Sequence, residues 1–65
     1  MQLVPLAQAC RAGACPTVFA TEGSDVVVQG YVFPPSTTTA VPEGEALVRI
    51  PGDLIVEAAR LLTQG

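Results

Sequence analysis

The chemically capable residues of this chain are two cysteines, Cys10 and Cys15, and six carboxylates, Glu22, Asp25, Glu43, Glu45, Asp53 and Glu57. Two thiolates at this spacing supply half of a zinc site. The chain has no other cysteine and no histidine, so closing such a site takes a second copy or carboxylates. The same pair is spaced to close a small loop as a disulfide, worth roughly 2–3 kcal/mol. Cytosolic disulfides are rare, however, and the spacing is not the two-residue one of redox motifs. The plainest reading, and the expectation here, is two small, partly buried thiols beside the first strand. The carboxylates fall at turns, strand ends and a helix, in no pattern that marks a paired acid and base. Without histidine the usual general base, metal ligand and triad partner is missing, and no glycine loop is spaced to cradle a phosphate. The expectation is a non-enzyme with no cofactor and no metal.

The elements that would position these residues are organised around Asp25-Val-Val-Val-Gln-Gly-Tyr-Val-Phe33, a β-strand pattern that is apolar on both faces. Val26, Val28 and Val32 alternate to one side; Val27, Gln29, Tyr31 and Phe33 alternate to the other. Before it, Pro16-Thr-Val-Phe-Ala20 reads as a strand from its β-branched and aromatic content, and Thr21-Glu-Gly-Ser24 as the hairpin turn between the two. Loop length leaves the register open, so Phe19 shares a face either with Val26 and Val28 or with Val27 and Tyr31. Gly30 marks a bulge or a place where another group approaches closely. Residues 1–14 form an N-terminal arm or edge strand, with Pro5 suited to an edge. Residues 34–44 read as a flexible loop, ending in a tighter turn at Val41-Pro-Glu-Gly44.

Glu45 to Ile50 is the third strand, its apolar face formed by Ala46, Val48 and Ile50. Pro51 suits a first helical position and Asp53 favours the first turn, so the spacing predicts a helix over 52–63. Leu54, Ile55, Ala58, Leu61 and Leu62 make its apolar stripe. The predicted fold is α+β: one domain over 1–65, a small three- to four-stranded antiparallel sheet with one C-terminal helix packed on one face. One helix covers one face, so the other is available to a partner. The candidate binding residues are Val27, Gln29, Tyr31 and Phe33, because a polar and aromatic lining suits an interface better than valine alone.

Composition points the same way. A chain of 65 residues is near the lower limit of what folds unaided, so an added stabiliser or a partner is expected. Its residues are 49% hydrophobic and only 14% charged, which leaves apolar surface without a solvated cover. The net charge is −3, and the only cations, Arg11, Arg49 and Arg60, are scattered, which argues against direct nucleic-acid binding. No stretch approaches the about 20 apolar residues of a membrane span. The N-terminus lacks a basic region and is interrupted by Pro5, unlike a signal peptide. The expected compartment is the cytoplasm.

At Cys15-Pro-Thr-Val-Phe, Val28-Gln-Gly-Tyr-Val and Leu47-Val-Arg-Ile-Pro, the sequence resembles a group of short actinobacterial proteins often encoded beside helix-turn-helix regulators. It is similar in layout to the domain-of-unknown-function family that includes small developmental regulators of filamentous actinomycetes. In that family a cysteine opens a first strand, a hairpin leads to a second, and a third strand runs through a proline into a C-terminal helix. The resemblance covers roughly Cys15 to Leu62. It departs at Gln29-Gly30-Tyr31, where the family tends to carry Arg-Asp-Ser, and at Leu54 and Ile55, where it prefers an aromatic. The resemblance implies a small regulatory binding protein, antitoxin-like or anti-regulator-like, that modulates a cognate helix-turn-helix regulator. The alternative is a self-assembling structural module that forms a homo-oligomer through its sheet face or edge.

Overall fold

The computed structural model describes residues 2–33 and 40–64. In chain order the elements are β1 (Val4–Gln8), β2 (Thr17–Ala20), β3 (Val26–Gln29), β4 (Tyr31–Val32), β5 (Val48–Arg49) and α1 (Gly52–Thr63). The fold is α+β, with a three-stranded antiparallel sheet in the order β1-β2-β3, a two-stranded pair β4-β5, and the single helix at the C-terminal end. No helix among the described residues is long and apolar enough to cross a membrane.

The long strand centred on the valines is not continuous. It breaks at Gly30 into β3, which pairs with β2, and β4, which pairs with β5. The cause is a close crossing. A Cβ placed on Gly30 would stand 2.6 Å from the Arg49 carbonyl oxygen and 2.6 Å from Ile50 Cγ2, so only glycine lets the β5 segment pass there. The third strand is correspondingly shorter than its apolar alternation suggests. Only Val48 and Arg49 are paired, Ala46 is exposed, and Ile50 alone of the expected face packs against the core.

The hairpin register follows from a five-residue loop. Ala20 pairs with Val26 and Phe19 with Val27, so Phe19 and Val27 share a face and Val18 and Val28 share the other. Thr21 organises the loop: its hydroxyl donates to the Asp25 carbonyl at 2.9 Å and accepts from the Gly23 amide at 3.1 Å. At the far edge, β1 runs antiparallel to β2 with an irregularity at Leu6, between Pro5 and Ala7.

The core is small. Ala7, Val18, Leu54 and Ala58 are buried, with Leu6, Ala9, Val28 and Ile50 packed partly against them. The helix therefore sits on β1 and β2, over the face that carries Val18 and Val28. The helix runs over the predicted 52–63; Pro51 is its extended N-cap rather than its first helical residue, and Asp53 lies in the first turn. The apolar arc of α1 is wider than the surface it meets. Leu54 and Ala58 are covered, whereas Ile55 and Leu62 are more than half exposed. Residues 34–39 of the expected 34–44 loop lie outside the described residues; beyond them Glu45 N–H donates to the Pro42 carbonyl around Gly44 at φ 89. This turn starts at Pro42, one residue later than read from the sequence.

Candidate functional site

The site is built at the tip of the β1–β2 hairpin. Arg11 and Ala14 exchange both backbone hydrogen bonds, at 2.7 and 2.9 Å, enclosing a turn at Ala12 (φ 51) and Gly13 (φ 83). Two left-handed residues in a two-residue loop match the twist of the flanking strands. Gly13 adopts that conformation freely, while Ala12 does so at a cost of about 1–2 kcal/mol.

Cys10 and Cys15 form the next rung. Because Arg11 and Ala14 are a hydrogen-bonded pair, the alternation of an antiparallel ladder makes the cysteines a non-hydrogen-bonded pair, where side chains stand closest. Their Cα atoms are 4.0 Å apart and the sulfurs are joined as a disulfide. The expectation of free thiols is thereby overturned, and sulfurs spent on each other do not ligate zinc. The mirror placement of the cysteines about Ala12-Gly13 is the sequence signal for this, since residues equidistant from a two-residue turn face one another.

Below the staple, on the face away from the helix, three side chains converge. Thr17 is fully buried. Its hydroxyl donates to the Cys15 carbonyl at 2.7 Å and accepts from Gln8 Nε2 at 3.1 Å. Gln29 Nε2 donates to the same carbonyl at 2.8 Å. Both lone pairs of the Cys15 oxygen are thus occupied, and β1, β2 and β3 are tied together at one level. The Gln29 side chain is thus tied to the hairpin by its Nε2 while the residue stays exposed at the surface.

Between this network and β4 lies a pocket of about 200 Å³, lined by Gly13, Ala14, Cys15, Pro16, Gln29, Gly30 and Tyr31. Ligand sites for drug-sized molecules run to about 300–1,000 Å³. This one is smaller, an open notch between the hairpin tip and β4. Tyr31 forms one wall, and the Arg49 guanidinium carbon lies 5.5 Å from its ring centroid, a cation–π distance that braces the ring.

Of the four candidate residues, Gln29 and Tyr31 meet in this pocket. Val27 stands beside Phe19 on the same face of the three-stranded sheet. Phe33 follows β4, where its N–H donates to the Leu47 carbonyl at 3.0 Å, and its side chain is 40% exposed. The break at Gly30 places the four on two sheets, not on one continuous strand face. Gln8, Thr17 and the wall Gly13–Pro16 were not among the candidates; they enter because the stapled tip folds toward Gly30. Comparison with protein-family models, curated proteins and solved structures finds no match for this chain.

Proposed function

We propose that this chain is a small non-enzymatic protein-binding module whose partner is a helix-turn-helix transcription regulator, with Val27, Gln29, Tyr31 and Phe33 at the contact. The observation that carries this reading is the imbalance between buried and exposed apolar side chains. Among the described residues four apolar side chains are buried, while twelve large ones, Tyr31 and Phe33 included, are exposed. The net charge of −3 complements the basic surface of a DNA-binding protein and accelerates encounter with it.

A regulator partner places the protein in the cytoplasm, where the disulfide meets reducing thiols. The reading therefore requires that binding persist in reductant. The test is a titration of helix-turn-helix regulators from the native host, beginning with any encoded beside the gene, against the unaltered chain and the Y31A/F33A variant, with and without dithiothreitol. Loss of two exposed aromatic anchors weakens binding by at least about tenfold each if they are hot spots. Equal affinity of both chains removes the proposed site, and a DNA shift by the isolated protein at physiological salt removes the proposed mode of action.

A further inference from the structure

The two edges of the three-stranded sheet are unlike. The β1 edge carries Pro5 and the irregularity at Leu6, two devices that stop a further strand from adding. The β3 edge carries neither. It is Val26-Val-Val-Gln29, with no proline, no bulge and no lysine, a residue absent from the whole chain.

The direction of its backbone groups follows from the hairpin tip. Arg11 and Ala14 are a hydrogen-bonded pair, and so are Ala9 and Pro16, whose bond is 3.0 Å. Alternation along β2 then turns Val18 toward β1 and turns Thr17 and Phe19 toward β3. Their partners Gln29 and Val27 direct N–H and C=O inward. Val26 and Val28 consequently direct theirs outward, and no described residue bonds to those groups on that side.

We propose that this edge pairs with β3 of a second copy, joining the two three-stranded sheets into one across a twofold axis. The occupant is a copy of this chain because the edge is complementary to itself. Antiparallel pairing about Val27 sets Val26 opposite Val28 of the second copy and Val28 opposite its Val26. Both are doubly hydrogen-bonded pairs, and they use every outward group of the strand. Val27 meets its own symmetry mate in the intervening close pair. Asp25 falls opposite Gln29, so no carboxylate faces another, whereas a register pairing Asp25 with Asp25 would set like charges together. On the face away from the helix, Phe19 and Val27 of each copy become one apolar stripe. The protected β1 edges end the sheet, so assembly stops at a closed dimer.

This inference does not depend on the regulator reading: it rests on the outward backbone groups of Val26 and Val28, although Val27 belongs to both surfaces. Sedimentation of the full chain across a micromolar-to-millimolar series, paired with amide hydrogen exchange, tests it. The expected result is a monomer–dimer equilibrium in which the Val26 and Val28 amides gain protection as concentration rises, while those of Val27 and Gln29 are protected throughout. Val26→Pro removes an outward N–H without touching an internal bond, and both symmetry-related bonds go with it. The dimer dissociation constant should rise about thirtyfold. A monomer throughout the series overturns the proposal. So does a dimer, or any larger oligomer, in which the Val26 and Val28 amides exchange independently of concentration; that outcome, read on the unaltered chain, stands even if Val26→Pro fails to fold.

Discussion

Gly30→Ala is the sharpest test of how the two sheets are joined. The added Cβ would lie 2.6 Å from the Arg49 carbonyl oxygen, 2.6 Å from Ile50 Cγ2 and 3.2 Å from the Arg49 carbonyl carbon. Comfortable separations are about 3.5–4.0 Å, so two contacts are short by about an ångström. Ile50 can turn part of the way, but it packs partly against the buried core cluster, and the carbonyl oxygen is backbone with no rotamer to escape into. Relief must come from moving β5 off β4. Overpacking of this kind costs about 1–3 kcal/mol, offset by about 0.5–1 kcal/mol because alanine loses less backbone freedom than glycine on folding. A net loss of about 1–2 kcal/mol remains, equivalent to a fall in Tm of roughly 5–15 °C for a domain this small. Thermal unfolding followed by circular dichroism measures it. Gly23→Ala is the matched control, since a Cβ there meets only Thr21 Oγ1 at 3.8 Å. If the two variants melt together, the β5 segment does not cross at Gly30 and the division into two sheets is wrong.

Two further perturbations probe the hairpin tip. Replacing both Cys10 and Cys15 with Ser should cost roughly 2 kcal/mol, the loop-entropy value for so short a closed segment; the unaltered chain in reductant should melt with the variant, and a difference between them would show that the serines act by something other than loss of the bond. Thr17→Val keeps the shape of a fully buried side chain and removes one hydrogen bond to the Cys15 carbonyl, which still accepts from Gln29. The expected loss is about 1 kcal/mol in denaturant unfolding, and a neutral result would mean that the Thr17 hydroxyl does not join Gln8 to Cys15.

Strand and helix positions were legible where side-chain period and backbone punctuation agree. The alternation in residues 17–20 and 26–29 and the turn between them needed only local chemistry. So did the helix, whose start is marked by Pro51 and Asp53; of its expected stripe of Leu54, Ile55, Ala58, Leu61 and Leu62, only Leu54 and Ala58 are buried. What was hidden depends on contacts distant in sequence. Gly30 signalled a close approach, but nothing local named Arg49 and Ile50 as the visitors, and without them the run from Val26 to Phe33 looks like one strand. The cysteines were misread because composition argues about compartments, whereas the outcome was set by geometry. A two-residue turn at Ala12-Gly13 brings equidistant residues face to face whatever the cell's redox state.

The same crossing explains why the apolar excess is distributed as it is. A continuous strand would have carried Tyr31 and Phe33 across the β2 side of one sheet, where a single helix opposite would leave one broad uncovered face. Breaking at Gly30 instead sends β4 to β5, and β5 leads directly through Ile50 and Pro51 into the helix that closes the core over Ala7 and Val18. The glycine that admits β5 therefore fixes where α1 begins and which sheet face it covers. It also sets Tyr31 beside the stapled tip, where the notch between Pro16, Gln29 and Tyr31 exists only because the strand turns away there. Core and candidate site thus hang on one backbone approach. A substitution that pushes β5 outward should open the notch and loosen the helix together, and the proposed partner, seated on Tyr31, would stabilise a core it does not touch.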